Sequence, residues 1–129
     1  MKKIALIVAA AAALAWGTSC TVRHSAKTVQ SNKNIPADVL TVIEGSCIDC
    51  HVEPGKKLAL AFVNLSEWSG YSSRKQATKS KAMCRMVSKG KMPPKAYRKK
   101  NADFVLTKDD IKTICDWSAS VQGAIPAHP

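Results

Sequence analysis

The chain has 129 residues, with 20 Lys and Arg against 9 Asp and Glu, a formal net charge of +11. Hydrophobic residues make up 46% and charged residues 22%, the balance of a globular chain, while aromatics are only 5%. These figures exclude a large multidomain enzyme, a multi-span membrane protein and a disordered basic tail. With a leader set aside, roughly 110 residues remain, enough for one small domain. A chain this short and this poor in aromatics needs a staple besides its own core.

Residues 1–19 have the make-up of a secretory signal peptide. Lys2 and Lys3 form a positive start, and Ile4 to Trp16 is an uncharged apolar run too short for a comfortable membrane span. Gly17-Thr18-Ser19-Cys20 then sets small residues before a cysteine. That resembles a lipoprotein signal, in which Cys20 is lipidated and becomes the mature N-terminus. Gly17 stands where such signals usually carry Leu, and an ordinary signal-peptidase cut after Ala15 or Gly17 is the other reading. Lipidation at Cys20 implies a periplasmic or cell-envelope protein held to a membrane by a lipid anchor. Loss of Lys2 and Lys3 lowers the net charge by two, from +11 to +9. Residues 20–33 are polar and basic without apolar periodicity, and read as anchor and linker. His24 in that stretch reads as a solvated side chain.

The expected domain spans 34–122, with a short tail at 123–129. Asn34, Pro36 and Asp38 form a helix-start cluster with Pro in the first turn. Val39, Leu40, Val42 and Ile43 give an apolar stripe, and Gly45 closes the segment.

Cys47-Ile48-Asp49-Cys50-His51 follows, the C-x-x-C-H attachment pattern of c-type haem. Two thiols two residues apart in a turn reach one edge of the macrocycle as thioethers. The adjacent His51 then supplies the proximal nitrogen. Composition alone yields about 0.004 such pentapeptides in a chain of this length. A redox dithiol wants a βαβ context, and a zinc site wants a second paired set of ligands; neither pattern is present.

A helix is predicted from about Arg74 to Lys89, with Ala77, Ser80, Cys84 and Val87 on one face and Gly90 as its C-cap. Met92 follows on a loop stiffened by Pro93 and Pro94, so little entropy is lost when its thioether binds a metal. Met92 is therefore the favoured distal ligand. Met83 and Met86 fall inside the helix, where Met is usually core filler. His128 sits in the tail, and Lys91 competes only once it has lost its proton at alkaline pH.

A last helix is predicted from about Lys108 to Val121. Thr107-Lys108-Asp109-Asp110 opens it like a capping box, and Ile111, Ile114, Cys115, Ser118 and Val121 form its stripe. Cys84 and Cys115 facing each other in an oxidising compartment would form a disulfide across about 30 residues; two buried free thiols are the alternative.

In order, C-I-D-C-H (47–51), N-L-S-E-W (64–68), G-K-M-P-P (90–94) and the closing segment from Leu106 to Trp117 resemble the small haem-binding-domain family of exported bacterial monohaem c-type cytochromes. The resemblance covers about residues 40–120. It implies an all-α, cytochrome c-like domain wrapped around one covalent haem c, with thioethers at Cys47 and Cys50, His51 proximal and Met92 distal. Cysteines at the Cys84 and Cys115 positions in similar sequences support their pairing. The stretch from His51 to Asn64 is shorter here than in longer members.

The function expected from this is single-electron transfer outside the cytoplasm, by a carrier rather than an enzyme. The alternative is a haem sensor or peroxidase-like domain with a labile or absent sixth ligand. A third class is a non-redox module in which C-x-x-C-H is a zinc or disulfide staple. Trp68 and Trp117 read as core or haem-contact residues, Trp68 also as a hydrogen-bond donor to a haem propionate. Tyr97 and Phe104 are expected against the Met loop. The basic run from Lys89 to Lys100 reads as a solvated face, or as a surface that steers an acidic redox partner protein. No nucleic-acid motif is present, and no nucleic-acid partner is expected.

Overall fold

The computed structural model describes residues 34–125. The expected leader, Cys20, the linker with His24, and residues 126–129 with His128 lie outside the described residues.

Helix α1 spans Ala37–Ser46. Pro36 occupies its N-cap, one position before the first turn where the sequence pattern set it, and Asp38 accepts a hydrogen bond from the backbone N–H of Val39. The expected stripe divides: Val39 and Ile43 are fully buried, while Leu40 and Val42 pack half-buried at the flank. Helix α2 is the single turn Ile48–His51, and α3 spans Lys57–Phe62. A 3-10 turn, Leu65–Gly70, carries Trp68 into the core.

Helix α4 runs over Ser73–Ser88. The Ser72 hydroxyl caps its start by accepting from Lys75 N–H at 3.3 Å. Its end is a Schellman motif: Gly90 N–H donates to the Val87 carbonyl and Lys91 N–H to the Met86 carbonyl. Gly90 takes φ +61°, which a residue with a side chain adopts only at a cost.

Helix α5 is short, Lys95–Lys100, and buries none of its residues. A second 3-10 turn covers Ala102–Phe104. Helix α6 spans Lys108–Gly123, two residues beyond the expected end. The predicted capping box is present: Thr107 accepts from Asp110 N–H, and the Asp110 carboxylate accepts from Thr107 N–H.

Among the described residues every element is helical. No described helix is long and apolar enough to cross a membrane. The main packing is α4 against α6, with α1 laid on α6. Ala77 and Ser80 of α4 and Ser118 of α6 are small and buried, which lets the two backbones approach closely. Cys84 and Cys115 are bonded across this interface as a disulfide, with Cα atoms 4.8 Å apart. The core gathers Ile35, Val39 and Ile43 with Val63, Leu65 and Trp68, closed by Ile114 and Trp117. Trp68 packs on Trp117 with ring centroids 5.1 Å apart and on Tyr71 at 5.9 Å.

Candidate functional site

Cys47 caps α2, and its carbonyl accepts from the N–H groups of Cys50 and His51. One turn thus carries both thiols and the imidazole. Cys47 and Cys50 are free thiols, both half-buried. Burial, reinforced by the neighbouring Cys50, pushes the Cys47 thiol up to about 12, so it stays protonated at neutral pH.

The chain then folds back over its own motif. Lys56 N–H donates to the Cys50 carbonyl, closing the turn of residues 52–56. Gly55 makes this approach possible: a Cβ there would lie 2.4 Å from the Cys50 carbonyl oxygen. The returning strand of chain brings the Val63 carbonyl to His51, which donates from Nδ1 at 2.9 Å. That bond places the proton on Nδ1 and leaves Nε2 as the lone-pair nitrogen.

Asn64 holds this return in place. Its side-chain oxygen caps the 3-10 turn by accepting from Ser66 N–H, and its amide donates to Glu53. Ser66 in turn accepts from Glu53 N–H, and Asn64 N–H donates to the Tyr71 hydroxyl. The segment 64–68 thereby locks the turn after His51 to the body of the domain. Trp68 at its end is completely buried, yet its indole N–H has no hydrogen-bond partner. The indole N–H of Trp117 is likewise buried without one.

Met92 lies on the loop between α4 and α5. It is half-buried against the same core as Cys47 and Ile48. Its N–H donates to the Met86 carbonyl at 3.3 Å, and Arg98 reaches back to the Gly90 carbonyl at 3.0 Å. Tyr97 ties this loop to the C-x-x-C-H turn: its hydroxyl donates to Asp49 at 2.7 Å. Desolvation, then the hydrogen bond to Asp49 and its charge, hold the Tyr97 phenol up at about 12. Met83 packs into the core from within α4, as expected of a filler, and Lys91 is exposed. Phe104 is 40% exposed at the start of the segment leading to α6.

Sequence reasoning singled out the two thiols, His51 and the Met loop as candidates, but not the groups that the structure sets against them. The Val63 carbonyl carries no residue signature. The Asn64-x-Ser66 spacing does signal a turn cap, since Asn side chains accept from the N–H two residues on. The pairing of Asp49 with Tyr97 has no local signal.

The residues present fit a haem. Two thiols and an imidazole share one turn, the Met92 thioether packs against the same core as Cys47, and the buried Trp68 N–H lacks an acceptor that a haem carboxylate would supply. Among the described residues no three Cys, His, Asp or Glu side chains gather as a metal-ion cluster. Searches of curated proteins and of solved structures found no match. The family model of the haem-binding domain matches residues 56–120, half of the chain. That span begins after His51, so the family match and the C-x-x-C-H motif are separate observations that agree: the chain belongs to the haem-binding domain family.

Proposed function

We propose that this protein is a monohaem c-type cytochrome that carries single electrons outside the cytoplasm. Cys47 and Cys50 hold the haem as thioethers, His51 is the proximal ligand and Met92 the distal one. The observation that carries the reading is the His51 Nδ1 bond to the Val63 carbonyl, which directs Nε2 as the coordinating nitrogen of a residue already set in C-x-x-C-H. The raised Cys47 thiol, which stays protonated at neutral pH, also counts against a redox dithiol, which works through a low-pKa thiolate.

When bound, the haem iron supplies one-electron chemistry between Fe(III) and Fe(II), with Met ligation favouring the reduced form over bis-His ligation. The chain's own residues give that chemistry its setting. Met92, half-buried against the core, would occupy the second axial position of a bound haem and leave no open iron site, which favours a carrier over an enzyme. Trp68, whose buried indole N–H lacks a partner, would donate to a carboxylate of the bound haem. Lys89, Lys91, Lys95, Lys99 and Lys100 are all exposed around the Met loop and suit an acidic redox partner. The signal-like N-terminus and the small residues before Cys20 support a lipid-anchored protein of the periplasm or cell envelope.

The test is the intact mass of the protein exported from a host that matures c-type cytochromes. One covalent haem is expected, lost when Cys47 and Cys50 are both replaced by Ser. A chain exported at its bare polypeptide mass contradicts the reading.

A further inference from the structure

We propose that the Tyr97–Asp49 hydrogen bond is a latch that keeps the Met92 loop closed on the haem-bearing turn, and so sets how readily an outside ligand reaches the iron. The proposal rests on the reading of Met92 as sixth ligand.

Pro93 at the head of this segment is buried, but α5 itself buries none of its residues and only Tyr97 and Arg98 are half-buried, so apolar packing does little to hold the helix down. The other hydrogen bonds described for the loop run to itself or to the end of α4: Met92 and Lys91 to Met86, Arg98 to Gly90, Asn101 to Tyr97. None of these joins it to α2. Tyr97 to Asp49, at 2.7 Å and 48 residues apart in sequence, makes that connection. Asp49 lies between Cys47 and Cys50, at a position whose side chain the attachment pattern leaves open. The motif is therefore free to use it for something other than haem attachment. A segment with little buried surface opens locally at low cost, and one charge-assisted hydrogen bond is then a large share of what keeps it shut. Tyr97 acts here as a positioning residue for Met92.

The test uses the full holoprotein and imidazole as the probe ligand. Binding of imidazole to the ferric form is followed in the wild type and in Tyr97→Phe, Asp49→Leu, Asp49→Asn and the Tyr97→Phe/Asp49→Leu pair. Tyr97→Phe and Asp49→Leu are expected to bind about five- to tenfold faster. The double variant is expected to be no faster than either single, since both remove one bond. Asp49→Asn keeps an acceptor oxygen but loses the charge, and is expected to fall between wild type and Asp49→Leu. Amide exchange across Lys95–Lys100 reads the latch without reference to the iron, and is expected to quicken in the same variants. Circular dichroism checks that each variant keeps its helices. Wild-type exchange and wild-type imidazole rates in both single variants would overturn the latch. A wild type that lacks the Met–Fe(III) band would instead overturn the ligand reading, and amide exchange alone would then decide the latch.

Discussion

His51 donates from Nδ1 to the carbonyl of Val63, twelve residues along the chain, at 2.9 Å. The bond depends on the tight turn between them. Gly55 sits where a Cβ would strike the Cys50 and Val52 carbonyl oxygens at 2.4 and 2.7 Å. Both are backbone atoms of the turn that carries His51 and cannot swing aside.

Gly55→Ala is therefore expected to destabilise the holoprotein by about 1–3 kcal/mol through overpacking. Gly45→Ala is the control: its Cβ meets nothing within 4 Å, and it lies in α1. It is expected to stabilise by about 0.5–1 kcal/mol, the helix-propensity gain of Ala over Gly. Chemical denaturation of both variants checks the pair. Equal effects at the two positions would contradict the close-approach argument.

Gly90 takes the left-handed conformation that ends α4 and launches the Met92 loop. Gly90→Ala is expected to cost about 1–2 kcal/mol, the penalty of a side chain in that region. It is also expected to weaken the Met–Fe(III) signature, because Met92 N–H and Lys91 N–H both anchor to Met86 through this turn. Denaturation and the ferric spectrum read the two effects separately.

The Cys84–Cys115 disulfide joins residues 31 apart and clamps α4 to α6 on either side of the Met loop. Replacing both with Ser is expected to lower stability by about 3–4 kcal/mol by the chain-entropy model. The haem spectrum should be unaltered, since neither cysteine belongs to the attachment turn. Guanidinium unfolding of the holoprotein checks this; a loss below about 1 kcal/mol would contradict it.

The Tyr97 phenol stands at about 12 against an ordinary 10.0, through desolvation, then the hydrogen bond and charge of Asp49. A folded value above the unfolded one means that its contribution to stability is complete below about pH 10 and is lost as pH rises toward 12. Alkaline titration of phenolate absorbance, wild type minus Tyr97→Phe, is expected to show a midpoint near 12. Asp49→Leu is expected to bring it down. A wild-type midpoint at the ordinary value would contradict the pairing.

Local signals in the sequence located the long helices well, because their ends are written in residues next to one another. The observed bounds of α4 differ by one residue at each end from those expected, and Gly90 ends it as expected. Thr107 and Asp110 set the start of α6. Both depend on caps within four residues of the helix. Helix α3 was not foreseen: Lys57–Phe62 is too short for a periodic stripe to stand out, and it leaves Leu58 and Phe62 exposed. The C-x-x-C-H pattern stands out in the sequence because its residues have fixed spacing. The Val63 carbonyl and the Asp49–Tyr97 pair do not, since both depend on how far the chain travels before it returns. That distance is set by the Gly55 turn, α3 and the Schellman end of α4 acting together.

The central claim, His51 and Met92 as the two axial ligands of a covalently held haem, is tested most directly by the ferric spectrum of the matured protein. The claim predicts a low-spin spectrum with the weak far-red band of Met–Fe(III) coordination, present in the wild type and absent in Met92→Ala. A high-spin ferric spectrum with ready carbon monoxide binding in the ferrous wild type would contradict it, and would point to an open iron site of the sensor or peroxidase kind.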